Sequence, residues 1–138
     1  MLKKVAPGDY EFLYKLLQEK EPYQAISHKV MPTYKEHVKF MDKKPYKRDY
    51  VIYGINASDY PGPLYPVGRI YLTRQNEVGI HIKHEYQHKG YGRMALDALL
   101  KKVKTRPIYA NIAPANQSSQ EFFEKHGFKL IQFTYARS

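Results

Sequence analysis

The chain contains no cysteine. That absence excludes a disulfide framework, a zinc–cysteine site and a cysteine nucleophile. It is compatible with the reducing cytoplasm, where we expect the protein, without requiring it. Long apolar runs are missing too. Met1-Leu2-Lys3-Lys4-Val5 is not followed by the apolar stretch of a secretory signal. No segment approaches the roughly 18 apolar residues of a membrane-crossing helix, so no membrane partner is expected. Repeats and low-complexity tracts are also absent. Acidic side chains are scarce, 13 against 23 lysines and arginines, for a formal charge of +10. Such an imbalance favours polyanionic ligands, either nucleic acid or a phosphorylated cofactor. The basic residues are spread along the chain rather than grouped, which argues against a dedicated nucleic-acid patch. The 14 tyrosines are spread as well, many beside prolines, and do not form one stacking platform.

What is present fits one domain over residues 1–138. Asp9 stands as a helix N-cap before Phe12, Leu13, Leu16 and Leu17 at helical spacing. Thr33-Tyr34-Lys35-Glu36 has the form of a capping box. The helix it opens should bury Val38 with Met41 or Phe40 and stop before Pro45. Tyr50–Ile55 and Val67–Leu72 read as strands joined by the turn-rich loop Asn56–Pro66. Two roles stay open for that loop, shaping an acceptor site or making a homodimer contact. Glu77–Lys83 alternates, with Val78, Ile80 and Ile82 on one face and Glu77, Gly79, His81 and Lys83 on the other. A helix follows over 90–104, then a strand over 107–112. Ser118–His126 forms a short helix closed by Gly127, and Phe128–Tyr135 alternates as a last strand. The fold class is α/β, of mixed topology.

Gln87-His88-Lys89-Gly90-Tyr91-Gly92 lies directly between a strand and a helix. Glycines there let the backbone adopt left-handed angles and approach a ligand closely. The free N–H groups and positive dipole end of the helix attract anions, and His88, Lys89 and Arg93 add basic groups. A phosphate-binding turn follows. The dinucleotide fingerprint fails, because the turn comes after three strands and no acidic residue ends the next strand. The mononucleotide loop fails for want of Gly-Lys-Ser/Thr.

In this stretch the sequence resembles the GNAT superfamily of N-acetyltransferases, whose cofactor motif is a strand, Gln/Arg-x-x-Gly-x-Gly/Ala, and a helix. A second family motif matches downstream at Asn116, Ser119, Phe122-Phe123, Lys125 and Gly127-Phe128. The resemblance implies a GNAT-like domain with a mixed, mostly antiparallel central sheet flanked by helices. It also implies acetyl-coenzyme A as acetyl donor and a small-molecule or peptide primary amine as acceptor. An amino-sugar nucleotide or a protein N-terminus would serve; a polyamine fits a cationic protein less well.

By the same resemblance, the amides of Gln87, His88, Lys89, Gly90, Tyr91 and Gly92, with Arg93, would hold the pyrophosphate. Ile80 and Ile82 would pair with the pantetheine arm, and an N–H near Ile82 would polarise the thioester. Asn116, Ser119 and Phe123 would complete the cofactor site. Many members carry a tyrosine acid where this chain has Phe123, so Tyr135 and Tyr91 are replacement candidates. Glu77 is the candidate base and His81 its runner-up.

Each residue has a structural alternative. Glu77 could be a solvated strand-start residue, His81 a packed strand residue, and His37 a structural histidine. His84 and His88 lie on a loop with no acidic partner, so no metal site is expected. Two other functions remain: a coenzyme A-binding protein without catalysis, which Phe123 keeps open, and a basic nucleic-acid-binding module.

Overall fold

A computed structural model describes residues 1–20, 30–55 and 62–138. The elements are β1 (Leu2–Lys4), α1 (Tyr10–Gln18), α2 (Tyr34–Asp42), β2 (Arg48–Gly54), β3 (Tyr65–Leu72), β4 (Glu77–Ile82), α3 (Tyr91–Lys102), β5 (Tyr109–Ala110) and α4 (Gln117–Lys125). The five strands form one sheet in sequence order. The first four run antiparallel, and β4–β5 is parallel. The expected mixed, mostly antiparallel α/β architecture is what the chain adopts. Among the described residues, no helix is long and apolar enough to cross a membrane.

Two apolar layers sandwich the sheet. On one face, Tyr50, Ile52, Val67, Ile70, Leu72 and Val78 meet Ala95, Leu96 and Leu99 of α3 and Phe123 of α4. On the other, Val51 packs with Tyr10 and Leu13 of α1 and Met41 of α2. Period-2 alternation in the strands sends each strand's side chains to both layers.

The Thr33 capping box forms as expected. The Glu36 N–H donates to Thr33 Oγ1 at 3.1 Å, and the Thr33 N–H to Glu36 Oε1 at 2.9 Å. Asp9 precedes α1 but does not cap it with its side chain. Its carboxylate instead accepts the Ala6 N–H at 2.8 Å and closes the preceding 3-10 turn, Pro7–Asp9. Met41 is buried in α2 and Phe40 is exposed, while His37 takes the second buried position. Its ring lies against those of Tyr10, Tyr14 and Tyr34. The β2–β3 hairpin forms; residues 56–61 of its loop lie outside the described residues.

The last strand is a correction. Residues 128–138 take no strand conformation. Phe128 packs on the core and donates its N–H to the Phe123 carbonyl at 3.0 Å. Beyond it Leu130, Ile131, Phe133 and Tyr135 are 69–89% exposed. Alternation sets which side chains could share a face, but a strand exists only where a neighbouring backbone completes its ladder. The strand expected over 107–112 likewise contracts to Tyr109–Ala110, the only part facing β4 in register.

Candidate active site

The feature that organises the site is a fork in the sheet. β4 pairs with β5 only at Glu77↔Tyr109 and Val78↔Ala110, yet it continues to Ile82 along β3. Backbone directions follow from the flanking bonds. The Thr73 N–H donates to the Glu77 carbonyl (2.9 Å), and the Lys83 N–H to the Val67 carbonyl (2.7 Å), so odd-numbered residues of β4 turn their amides to β3. The Tyr109 N–H donates to the Asn76 carbonyl (2.8 Å), so even-numbered ones face β5. Past Val78, the amides of Ile80 and Ile82 therefore face the gap where the two strands have parted.

The glycine turn sits at the mouth of this fork. Gln87 anchors it, donating from Nε2 to the Ile82 carbonyl at 3.1 Å. His88 (φ +63°) and Gly90 (φ +87°) both adopt left-handed backbone, which costs a non-glycine residue about 1–2 kcal/mol. Gly90 is the N-cap of α3. A methyl at Gly90 would meet nothing within 4 Å, and one at Gly92 would make ordinary contacts with Phe122 at 3.4 Å and Ile82 at 3.9 Å. Packing thus does not demand a glycine at 92. What its bare Cα does is keep the helix start accessible. No acidic residue lies in the first turn of α3, so nothing there opposes an anion. A shallow depression of about 490 Å³ lined by Gly90, Arg93, Met94, Asp97, Ala98 and Lys101 runs from this end along the outer side of α3.

On the far arm, Asn116 is buried at the start of α4. Its Oδ1 accepts from the Ser119 N–H (3.3 Å) and the Ser118 hydroxyl (3.2 Å), leaving its NH₂ as the group with donor capacity. Ser119 therefore enters through its backbone. Phe123 is a core residue, edge-on to Phe122 and Phe128. The Tyr91 hydroxyl meets that of Tyr65 at 3.1 Å, packed over Gly54. Tyr135, 89% exposed on the tail, is not brought to β4.

Glu77 and His81 do share one face of β4, the α1/α2 face. Glu77 is held by donors at the closed end of the fork. The Thr73 hydroxyl reaches Oε1 at 3.2 Å, and a short bond from Asn111 Nδ2 reaches Oε2 across the fork. Burial, and secondarily the positive charge of Lys20, push the His81 imidazole down to about 4. It is neutral at neutral pH and a weak proton acceptor.

Three side chains of this face were not legible as site residues. Tyr71 stands opposite Gly79 and stacks on Tyr46, with ring centroids 4.2 Å apart. A Cβ on Gly79 would clash with Tyr71 Cζ and its hydroxyl. Arg69 lies 5.0 and 5.3 Å from the two rings and is clamped by Asp49 through bonds of 2.9 and 2.6 Å. Asn111 is the third. The signal available in sequence was Gly79 itself, since a glycine inside a strand often marks a close approach by another group.

A family model described as an acetyltransferase (GNAT) domain matches residues 1–129. Solved structures share the fold. A domain from Methanocaldococcus jannaschii DSM 2661 aligns with TM-score 0.78 and 21% identity, over 94% of this chain and 87% of the other. A ribosomal-protein-alanine N-acetyltransferase from Brucella melitensis aligns with TM-score 0.68 and 14% identity, over 94% and 84%. A spermidine N-acetyltransferase chimera from Vibrio cholerae aligns with TM-score 0.68 and 22% identity, over 94% and 81%. No curated protein sequence matches.

Proposed function

The chain belongs to the GNAT acetyltransferase family, and on that premise we propose that it moves an acetyl group from acetyl-coenzyme A to a primary amine by direct attack, with the β4–β5 fork as donor site. The observation that carries this reading is the fork itself: two amides facing an opened seam, with an anion-receptive helix start at its mouth. The donor set fits coenzyme A. The α3 start and the amides from Gln87 to Gly92 suit a pyrophosphate, with His88, Lys89 and Arg93 as cationic neighbours. The amide-rich arm suits an open strand edge, which it would extend as an added strand. The Asn116 NH₂ is a donor to the same arm. Acetyl-coenzyme A supplies the acetyl group as a thioester.

The chain's own residues do the rest. Ile82 lies nearer the mouth and Ile80 nearer the closed end. The Ile80 N–H is therefore our assignment for the thioester carbonyl, a preorganised donor where charge develops. Glu77, beside that point on the α1/α2 face, takes the proton of the attacking amine directly or through water. His81 shapes the acceptor approach as a neutral imidazole.

For the acceptor we favour an amine that is not itself polycationic. The +10 chain repels a polyamine over distance, although a similar structure is a spermidine enzyme. A protein N-terminus or an amino-sugar nucleotide meets that condition, and the similar Brucella structure is a ribosomal-protein-alanine N-acetyltransferase. The non-catalytic reading draws support from Phe123, which carries no proton to donate.

Calorimetry with acetyl-coenzyme A, on cofactor-free protein at two salt concentrations, tests the donor half. Stoichiometric binding that weakens with salt is expected, because the phosphates meet cationic groups. Folded protein that binds none overturns the reading.

A further inference from the structure

The role that Phe123 leaves empty, a proton for the departing sulfur, has another occupant in reach. We propose that the Tyr71 hydroxyl donates it. This rests on the fork being the thioester site.

The placement is specific. Tyr71 is in register with Gly79, and Gly79 is the first residue of β4 past its last pair with β5, Val78↔Ala110. The Tyr71 ring crosses β4 and sets its hydroxyl where a Gly79 side chain would otherwise stand. That point is at the closed end of the fork, between Glu77 and His81 on the α1/α2 face. Gly79 needs no left-handed angle, since its φ is not positive. What its missing side chain provides is room for this hydroxyl.

The ring is also held. Tyr46 stacks on it, and the Arg69 guanidinium, fixed by the two bonds it donates to Asp49, lies beside both rings. The charged and titratable groups around Tyr71 are thus Arg69 on its own strand, Asp49 on β2, Glu77 and the neutral His81 on β4, and Tyr46 from the segment between α2 and β2. Burial pushes the Tyr71 phenol above its ordinary value; Arg69 and a hydrogen bond with Tyr46 oppose this, while Asp49 and Glu77 add to it. The phenol is protonated at neutral pH and has a proton to give.

The step balances as follows. The amine nitrogen forms a bond to the acetyl carbon as the carbon–sulfur bond breaks. That bond's electron pair stays on sulfur, which takes the Tyr71 proton. The amine's own proton goes to Glu77 or water, and Tyr71 is reprotonated from solvent. Arg69 offsets the transient negative charge on the phenol.

The test uses free coenzyme A and needs no acceptor. Its bound thiol is titrated by ultraviolet thiolate absorbance, as the difference from desulfo-coenzyme A on the same protein, which cancels tyrosine ionisation. A hydroxyl donating to the thiolate lowers the thiol pKa, so Tyr71→Phe should raise it by about one unit with affinity at neutral pH unchanged. Gly79→Ala places a methyl where the hydroxyl stands and should raise it alike, an independent route should either variant lose its packing. Equal thiol pKa values in wild type and a folded, coenzyme A-binding variant overturn the role of Tyr71 and leave the donor site standing. Absence of coenzyme A binding in the wild type removes the donor site and this proposal together.

Discussion

Along its β3 side, β4 is paired from Val78 to Ile82; along its β5 side it is paired at Glu77 and Val78 alone. The same six residues therefore serve as scaffold on one edge and as binding surface on the other. The closed seam is further held by side chains crossing it, with Tyr71 lying over Gly79 and the Arg69–Asp49 pair behind. The open seam is spanned at its base by the bond from Asn111 to Glu77. A strand left with one free edge is normally a liability. Here the free amides are short in number, face inward between two arms, and end at a helix start suited to an anion. The lesson is that rigidity on the β3 side is what makes an unpaired β5 side tolerable.

The most severe way to break that contrast is to loosen the closed side. Arg69→Met leaves the part-buried Asp49 without its cation; the loss for a fully buried pair is about 3–5 kcal/mol, and with side chains 12 and 15% exposed the effect should fall below that range. We expect a correspondingly lower denaturant midpoint. A midpoint within experimental error of wild type would show that the β3 side is not held by this pair. The next effect is read from pH. His81 titrates near 6.5 unfolded but about 4 folded. Above pH 6.5 it is neutral in both states and its neutral burial costs nothing extra. As pH falls from 6.5 towards 4 the unfolded state takes a proton that the folded state refuses, so stability drops, by up to about 3 kcal/mol at the low end. His81→Gln should flatten that slope. An unchanged slope would place the acid sensitivity elsewhere.

How much of this was legible in sequence differs between the two seams. The phosphate turn was readable because its chemistry is local: two glycines, basic neighbours and a strand-to-helix junction within one short stretch. The capping box at Thr33 was readable for the same reason. Tyr71, Arg69 and Asn111 were not, because what matters is register, and register is fixed by strands distant in sequence. The failure at 128–135 has the same root. Alternating Ile131, Phe133 and Tyr135 satisfies the side-chain half of a strand, while the backbone half depends on a neighbour no local pattern can supply. Asp9 does hold the N-cap position of α1, but its carboxylate accepts from the turn behind it rather than from the helix, a choice the local pattern does not decide.

The open side is tested at its mouth by Gly92→Val. The helix start accepts a Cβ with an ordinary 3.4 Å contact to Phe122, so folding stability should change little. The added methyls cover amides proposed to hold the pyrophosphate. Losing one charge-assisted bond, about 1.5–3 kcal/mol, weakens coenzyme A by ~10- to 100-fold. Unchanged affinity in the folded variant would move the phosphate site away from this turn.

The smallest effect is at the base of the fork. Asn111→Ala removes the donor that reaches Glu77 from the far arm. Glu77 is not left bare, because the Thr73 hydroxyl still reaches Oε1, so the loss should be about 1 kcal/mol of stability. If the bond also sets the spread of the arms, coenzyme A affinity should fall a few-fold as well, since the arm must then pair with β4 alone. A double-mutant cycle with Glu77→Gln separates the two contributions. Coupling of at least about 0.5 kcal/mol between contacting partners is expected, in stability and in coenzyme A binding alike. Coupling in stability without coupling in binding would mean that Asn111 and Glu77 tie the arms together but do not set their spacing. The width of the donor site would then be fixed from the β3 side alone.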